Sequence, residues 1–112
     1  MKKQYTAFPH LQHDHMASLM QCYSACCSCE KMCIEEGHKE TAKLCSDCAD
    51  ICALTIKMHS ADSEFNSKIA ELCAQICKRC ADACGKVQAD HCKQCSEICK
   101  ECAEACKGVA LA

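Results

Sequence analysis

The sequence predicts an all-α protein, an antiparallel up-down-up-down four-helix bundle with a cysteine-lined core, and three observations carry that prediction. Polar and apolar residues alternate with a period near 3.6 almost throughout the 112 residues. There is one proline, and the three glycines fall at positions 37, 85 and 108, where the periodic segments end or weaken. Most of the seventeen cysteines recur at steps of three and four, as in CAQICKRCADAC at 73 to 84, a rhythm that keeps them on one helical face.

The first helix begins after Pro9, between His10 and Ser18, and runs to Glu36, where Gly37 takes the left-handed conformation past its end. The second spans about Lys39 to His59, and Ser60 or Asp62 is the expected N-cap of the third. That helix continues to about Val87, with Gly85 loosening its last turn. Asp90 is expected to cap the fourth, which ends near Lys107 with Gly108 just beyond. Connections this short make sequential helices antiparallel neighbours. Residues 1–112 read as one domain, introduced by a short segment at 1–14.

Turning about 100° per residue places the cysteines on faces. Cys22, Cys26, Cys29 and Cys33 share a stripe on the first helix, and Cys45, Cys48 and Cys52 on the second. The third carries Cys73, Cys77, Cys80 and Cys84, the fourth Cys92, Cys95, Cys99, Cys102 and Cys106. These are the positions that a bundle turns inward, and only Cys27 lies off the pattern. Apolar rows run beside the stripes, with Leu44, Ile51 and Met58, Leu72 and Ile76, and Ile98 and Ala105 closing the seams. Six Leu, six Ile, two Val, two Phe and no Trp cannot fill such a bundle unless cysteine supplies the rest of the interior. The two ends differ. Cysteines approach the turns near Gly37 and Ala89, whereas the other end turns Leu11, His15, Thr55, His59, Asn66 and Ile69 inward, with Met16, Met20 and Met58 close by.

A formal charge of −2 with interspersed signs offers no basic stripe for phosphate or an anionic surface, which argues against a nucleic-acid or membrane partner. No apolar run has the length of a membrane span, and MKKQYTAFPHLQHDH lacks the apolar stretch of a secretory leader, so a soluble, cytoplasmic protein is expected. No Ser/His/Asp order and no glycine cradle stands out, and the expectation is a protein that is not an enzyme.

What are so many thiols for? Disulfides within a helix would be strained, because neighbours at three or four residues have Cβ atoms about 5–6 Å apart where a relaxed bridge wants roughly 3.8 Å. Bridges between helices would be reduced in the cytosol. Cysteine as a small hydrophobe explains two or three positions but not sixteen. Metal remains, and charge chooses among metals. Buried thiolates need nearly complete neutralisation. A Zn²⁺ held by four thiolates keeps a charge of −2, so several stacked in a narrow tube repel one another. Cu(I) is monovalent and soft, and can approach one ion per thiolate in many copies. A Zn²⁺ or Cd²⁺ thiolate sink and an Fe–S or redox electron carrier stand as alternatives. Iron–sulfur motifs, however, normally lie in loops that wrap a compact cluster. Imidazole and thioether are fitting ligands for copper loading, and His15 and His59 continue the cysteine stripes, with His10, His13 and the methionines around them. His38 and His91 read as solvated polar residues. A second stripe on the first helix, formed by Met16, Met20, Tyr23, Cys27 and Ile34, suggests a subunit contact.

From Cys22 to Cys106 these residues resemble the cytosolic members of the copper storage protein family. The resemblance implies a Cu(I) reservoir loaded from one end, with the sixteen inward cysteines as ligands and His15 and His59 at the mouth. It also implies a homo-oligomer, a tetramer. Helix two departs from the pattern, with Thr41 and Thr55 at inward positions beyond its three cysteines, and a lower capacity is expected there.

Overall fold

The computed structural model describes residues 7–110; the beginning of the N-terminal segment, at 1–6, and the last two residues lie outside the described residues. Four helices follow one another: α1 His13–Glu36, α2 Lys39–Ser60, α3 Asn66–Gly85 and α4 Asp90–Ala110. No strand occurs among the described residues. Contacts join α1 to α2, α2 to α3, α3 to α4 and α4 back to α1, the four sides of a square, and the cysteines occupy its centre.

The helix ends show why the chain turns where it does. α1 closes with a Schellman motif: Gly37, at φ 85°, donates its N–H to Ile34 O at 3.2 Å, and His38 donates to Cys33 O at 2.8 Å. α2 closes in the same way without a glycine. Asp62 takes φ 53° and donates to His59 O, while Ser63 donates to Met58 O at 3.0 Å. Asp62 therefore finishes α2 instead of capping α3, which begins at Asn66, later than Ser60 or Asp62 would have placed it. Ser63 takes part of the capping role, its hydroxyl accepting the Phe65 N–H at 3.1 Å.

Two further ends differ from expectation. α3 stops at Gly85, not Val87, and Gly85 permits a close approach of helices where loosening was expected. A Cβ there would stand 3.3 Å from Ser96 Oγ, which itself donates to Ala81 O at 2.8 Å across the α3–α4 seam. α4 starts with Asp90 in its first turn and the Ala89 carbonyl accepting the Lys93 N–H, so Ala89, not Asp90, holds the cap position. It then continues through Gly108 to Ala110, because buried Val109 extends the inward row beyond Cys106.

Of the seam residues, Ile51 is buried, and Leu44, Ile76 and Ile98 pack against the core. Leu72 instead faces outward and is exposed. Leu19 and Ala70 are completely buried, and Ala74, Ala81 and Ala103 are nearly so. Small residues on α3 and α4 let the helices come close enough for sulfur, a smaller filler than leucine, to occupy the interior between them.

Candidate metal centre

The sixteen stripe cysteines are all buried and all free, whereas Cys27 is exposed. Their sulfurs form a continuous column. Cys22 lies 3.7 Å from Cys48 and 3.8 Å from Cys99, Cys26 lies 3.6 Å from Cys99, and Cys48 lies 3.6 Å from Cys77. Cys45 stands 3.7 Å from Cys84 and 3.9 Å from Cys80. Among the described residues, ligand atoms within 4.8 Å of one another gather as Cys22, Cys52, Cys77 and Cys102, as Cys22, Cys26, Cys48 and Cys99, and as Cys29, Cys45, Cys84 and Cys95. A smaller group of Cys73, Cys102 and Cys106 lies toward one end, and Cys29, Cys33 and Cys92 with His91 toward the other. Because each group draws on several helices and shares or touches members of the next, an ion in one layer always has sulfur in the adjoining one.

In the metal-free tube the thiols keep most of their protons, since each thiolate would add charge to a medium that solvates it poorly. Burial first, and then Cys33, pushes the Cys92 thiol up to about 12. Cys102, Cys73 and burial raise Cys106, and Cys102 leads the neighbours that raise Cys77. A sulfur on which several S–H donors converge moves the other way. Hydrogen bonds from neighbouring thiols, led by Cys102 for Cys22 and by Cys26 for Cys95, lower these two against the opposing effect of burial. A soft cation replaces these shared protons and binds the sulfurs they leave.

At the α1 N-terminal end, His15 Nε2 lies 3.3 Å from Cys106 Sγ, and the His15 and His59 rings meet edge to face with centroids 5.1 Å apart. The His15 Nδ1 is buried and has no hydrogen-bond partner. Burial, then the neighbouring His59, lowers the His15 pKa to about 4, so the ring is neutral at pH 7 and keeps a lone pair for metal. His59 is lowered too, by burial first and then by His10. Its nitrogens are engaged: Nε2 accepts the Gln12 N–H at 3.0 Å, and the Asn66 side-chain amide stands 3.1 Å from Nδ1. A neutral ring that accepts at Nε2 carries its proton on Nδ1, and the Asn66 amide, placed with Nδ2 toward the ring and its oxygen unpartnered, accepts that proton once it is flipped end for end. The segment before α1 is tied over this end as well, with His10 Nε2 donating to Ser60 O at 2.9 Å. Leu19 and Thr55 fill the level beneath, both fully buried, Thr55 Oγ1 donating to Ile51 O. Sequence reasoning named Thr55 here and passed over Leu19.

The structure thus brings His15 to the sulfur column and places His59 above it, held by backbone and amide. Met16 is half-buried and Met20 exposed. The residue that sequence reasoning missed is His91. Its Nδ1 stands 3.3 Å from Cys29 Sγ and 3.6 Å from Cys92 Sγ, while its Nε2 donates to Glu36 Oε1 at 2.9 Å. His38 is exposed, as expected, 3.8 Å from the same carboxylate.

Residues 9–111 match the family model described as copper storage protein. The chain is similar to an uncharacterized cysteine-rich protein, YhjQ, of Bacillus subtilis strain 168, at 41% identity over 78 residues, 66% of this chain and 72% of that protein. Among solved structures it is similar to apo-Csp3, copper storage protein 3, from Bacillus subtilis, with a TM-score of 0.85 and 38% identity over 89% of this chain and 99% of that one. It is also similar to the Cu(I)-bound copper storage protein BsCsp3, with a TM-score of 0.83 and 39% identity over 86% and 94% of the two chains. The Nmul_A1745 protein from Nitrosospira multiformis superposes with a TM-score of 0.81 at 29% identity, over 88% of this chain and 94% of its own.

Proposed function

The chain belongs to the copper storage protein family, and from that membership we propose that it stores many Cu(I) ions on the thiolates of its bundle core. The observation that carries the reading is the column of sixteen buried, unbridged thiols. A monovalent ion that accepts two or three bridging sulfurs can cancel the charge of that column nearly ion for thiolate, and leaves no layer strongly negative. The ligands are Cys22, Cys26, Cys29 and Cys33 of α1, Cys45, Cys48 and Cys52 of α2, Cys73, Cys77, Cys80 and Cys84 of α3, and Cys92, Cys95, Cys99, Cys102 and Cys106 of α4. His15 extends this set through Cys106, its neighbour at 3.3 Å, and His59 acts as the loading residue above it. Loading past His59 requires its Nε2 to give up the Gln12 N–H, so the segment over that end must loosen first.

The four helices act as a single domain, a vessel without turnover. Free thiols at this density belong in a reducing compartment, which supports a cytoplasmic location, and no helix among the described residues is long and apolar enough to cross a membrane. The exposed Met20, Tyr23 and Ile34, with Cys27 beside Tyr23, give α1 an outer face suited to further copies of this chain, and a tetramer is the assembly we propose.

The test is an anaerobic titration of the reduced protein with Cu(I) against a chelator of known affinity. Saturation near sixteen equivalents, without visible colour, supports storage. Saturation at about four equivalents of Zn²⁺, retained in preference to copper, would move the reading to a divalent thiolate sink. A brown chromophore would indicate an iron–sulfur carrier.

A further inference from the structure

Resting on the copper reading, we propose that the loop end of the bundle carries its own solvent-exchangeable Cu(I) site, with His91 as a ligand and Glu36 as the residue that positions it. Three sulfurs form its base. Cys29 and Cys33 are 3.8 Å apart, Cys29 and Cys92 3.7 Å, and Cys33 and Cys92 3.6 Å. The centre of that nearly equilateral triangle is about 2.1 Å from each sulfur, close to the 2.3 Å of a zinc–thiolate bond and so within metal-bonding range. The His91 Nδ1, 3.3 Å from Cys29 Sγ and 3.6 Å from Cys92 Sγ, supplies a fourth donor at the triangle's edge.

Glu36 decides which nitrogen faces the sulfurs. Its carboxylate oxygen, 2.9 Å from Nε2, requires a proton there, because two lone pairs at that distance would repel. A neutral His91 then has its Nδ1 lone pair directed at Cys29 and Cys92. The carboxylate–imidazole–metal arrangement is one that fixes ring orientation and raises ligand basicity. No proton leaves the ring when Nδ1 binds the ion. One thiol per Cu(I) becomes a thiolate and releases its proton to solvent, so the ion replaces a single proton and the charge of the site is unchanged.

Exposure is graded along this path. Cys33 and Cys92 are fully buried, the His91 side chain is 16% exposed and Glu36 40%. At the opposite end His15 and His59 are 3% and 1% exposed, beneath the tied N-terminal segment. His91 therefore joins the sulfur column to water where no strap has to move. A soluble ligand outside can take an ion from this site or deliver one to it.

Histidine ¹⁵N NMR and chelator competition on the full chain test the proposal. In the copper-free protein His91 is expected to show the tautomer protonated at Nε2, and its Nδ1 resonance should shift as Cu(I) is added. Glu36→Leu should abolish the tautomer preference and weaken about one equivalent roughly tenfold against bathocuproine disulfonate, with the remaining equivalents unchanged. Glu36→Gln, which keeps an acceptor, should restore the tautomer. Glu36 is a partly exposed side chain, so neither variant endangers the fold, and the NMR reading needs no metal. Full loading with a stationary Nδ1 resonance, or a Glu36→Leu protein whose first-removed equivalent leaves as in the wild type, would overturn the exchangeable site while leaving storage intact. No uptake of Cu(I) at all would overturn both.

Discussion

A histidine sealed against sulfur makes the copper-free protein sensitive to acid. His15 has a pKa of about 4 in the folded chain against 6.5 for an unperturbed ring, so between those values the unfolded state binds a proton that the folded state does not. Stability therefore falls as pH is lowered from 6.5 towards 4, with a ceiling of about 3 kcal/mol for this one group. Thermal melts of the metal-free protein at pH 7 and pH 4.5 should show a larger loss for the wild type than for His15→Phe. Equal losses would mean that the ring is already solvated. In the column itself, Cys80→Val replaces a buried thiol by a hydrocarbon of similar size, and should change copper-free stability by less than about 1.5 kcal/mol while lowering Cu(I) capacity by one or two equivalents. The inward set was legible in the sequence because 100° per residue is all that a stripe needs. His91 was not. It precedes Cys92 by one position and so lies off the stripe, and its ring reaches Cys29 with its other nitrogen on Glu36, a residue distant in sequence. His59 was legible as inward, but its backbone partner Gln12 comes from a segment with no periodicity to read.

At the scale of the helices, number, order and face followed from periodicity, and so did the end of α1 at Gly37 and both ends of α2, whereas the start of α3 and the ends of α3 and α4 did not. Gly37 at φ 85° holds the α1 Schellman motif, and Gly37→Ala should cost about 1 kcal/mol in denaturant unfolding through the left-handed backbone alone, as no atom lies within 4 Å of an added Cβ. Gly85→Ala acts through packing instead. Its Cβ would press on Ser96 Oγ at 3.3 Å, and that hydroxyl is pinned to Ala81 O, so a loss of about 1–2 kcal/mol is expected. Adding Ser96→Ala should recover part of it, and a double-mutant cycle that shows no coupling would refute the contact. The start of α3 was misread for a physical reason. With no glycine in SADSE, Asp62 itself takes the left-handed position, so the residue that looked like the start of one helix is the end of another. Gly108 misled in the opposite direction, since burial of Val109 outweighs the helical cost of one glycine.

For the whole molecule, the consequence of a sulfur interior is that folding and loading separate. Empty, the column is a core of neutral thiols and needs no metal to be buried. Full, it is cross-linked by ions that bind the folded chain far better than the unfolded one, so thermal stability should climb with each Cu(I) added and fall back when a chelator removes it. Calorimetry across a titration checks this, and a melting temperature independent of copper would place the ions outside the core. The outer surface obeys different chemistry. Tyr23, Met20 and Ile34 stand exposed on one helix, an apolar face that costs solubility in a lone bundle and is relieved when another copy covers it. Tyr23→Glu puts a charge on that face, where burial against a second subunit would be prohibitive, yet leaves untouched the sulfur column, which faces about 100° away around α1. Sedimentation should then find the wild type as an oligomer and the variant as a monomer that still takes up Cu(I). A variant that assembles like the wild type would show that α1 is not the contact. One that dissociates and also loses copper would show that the vessel is completed only by its neighbours.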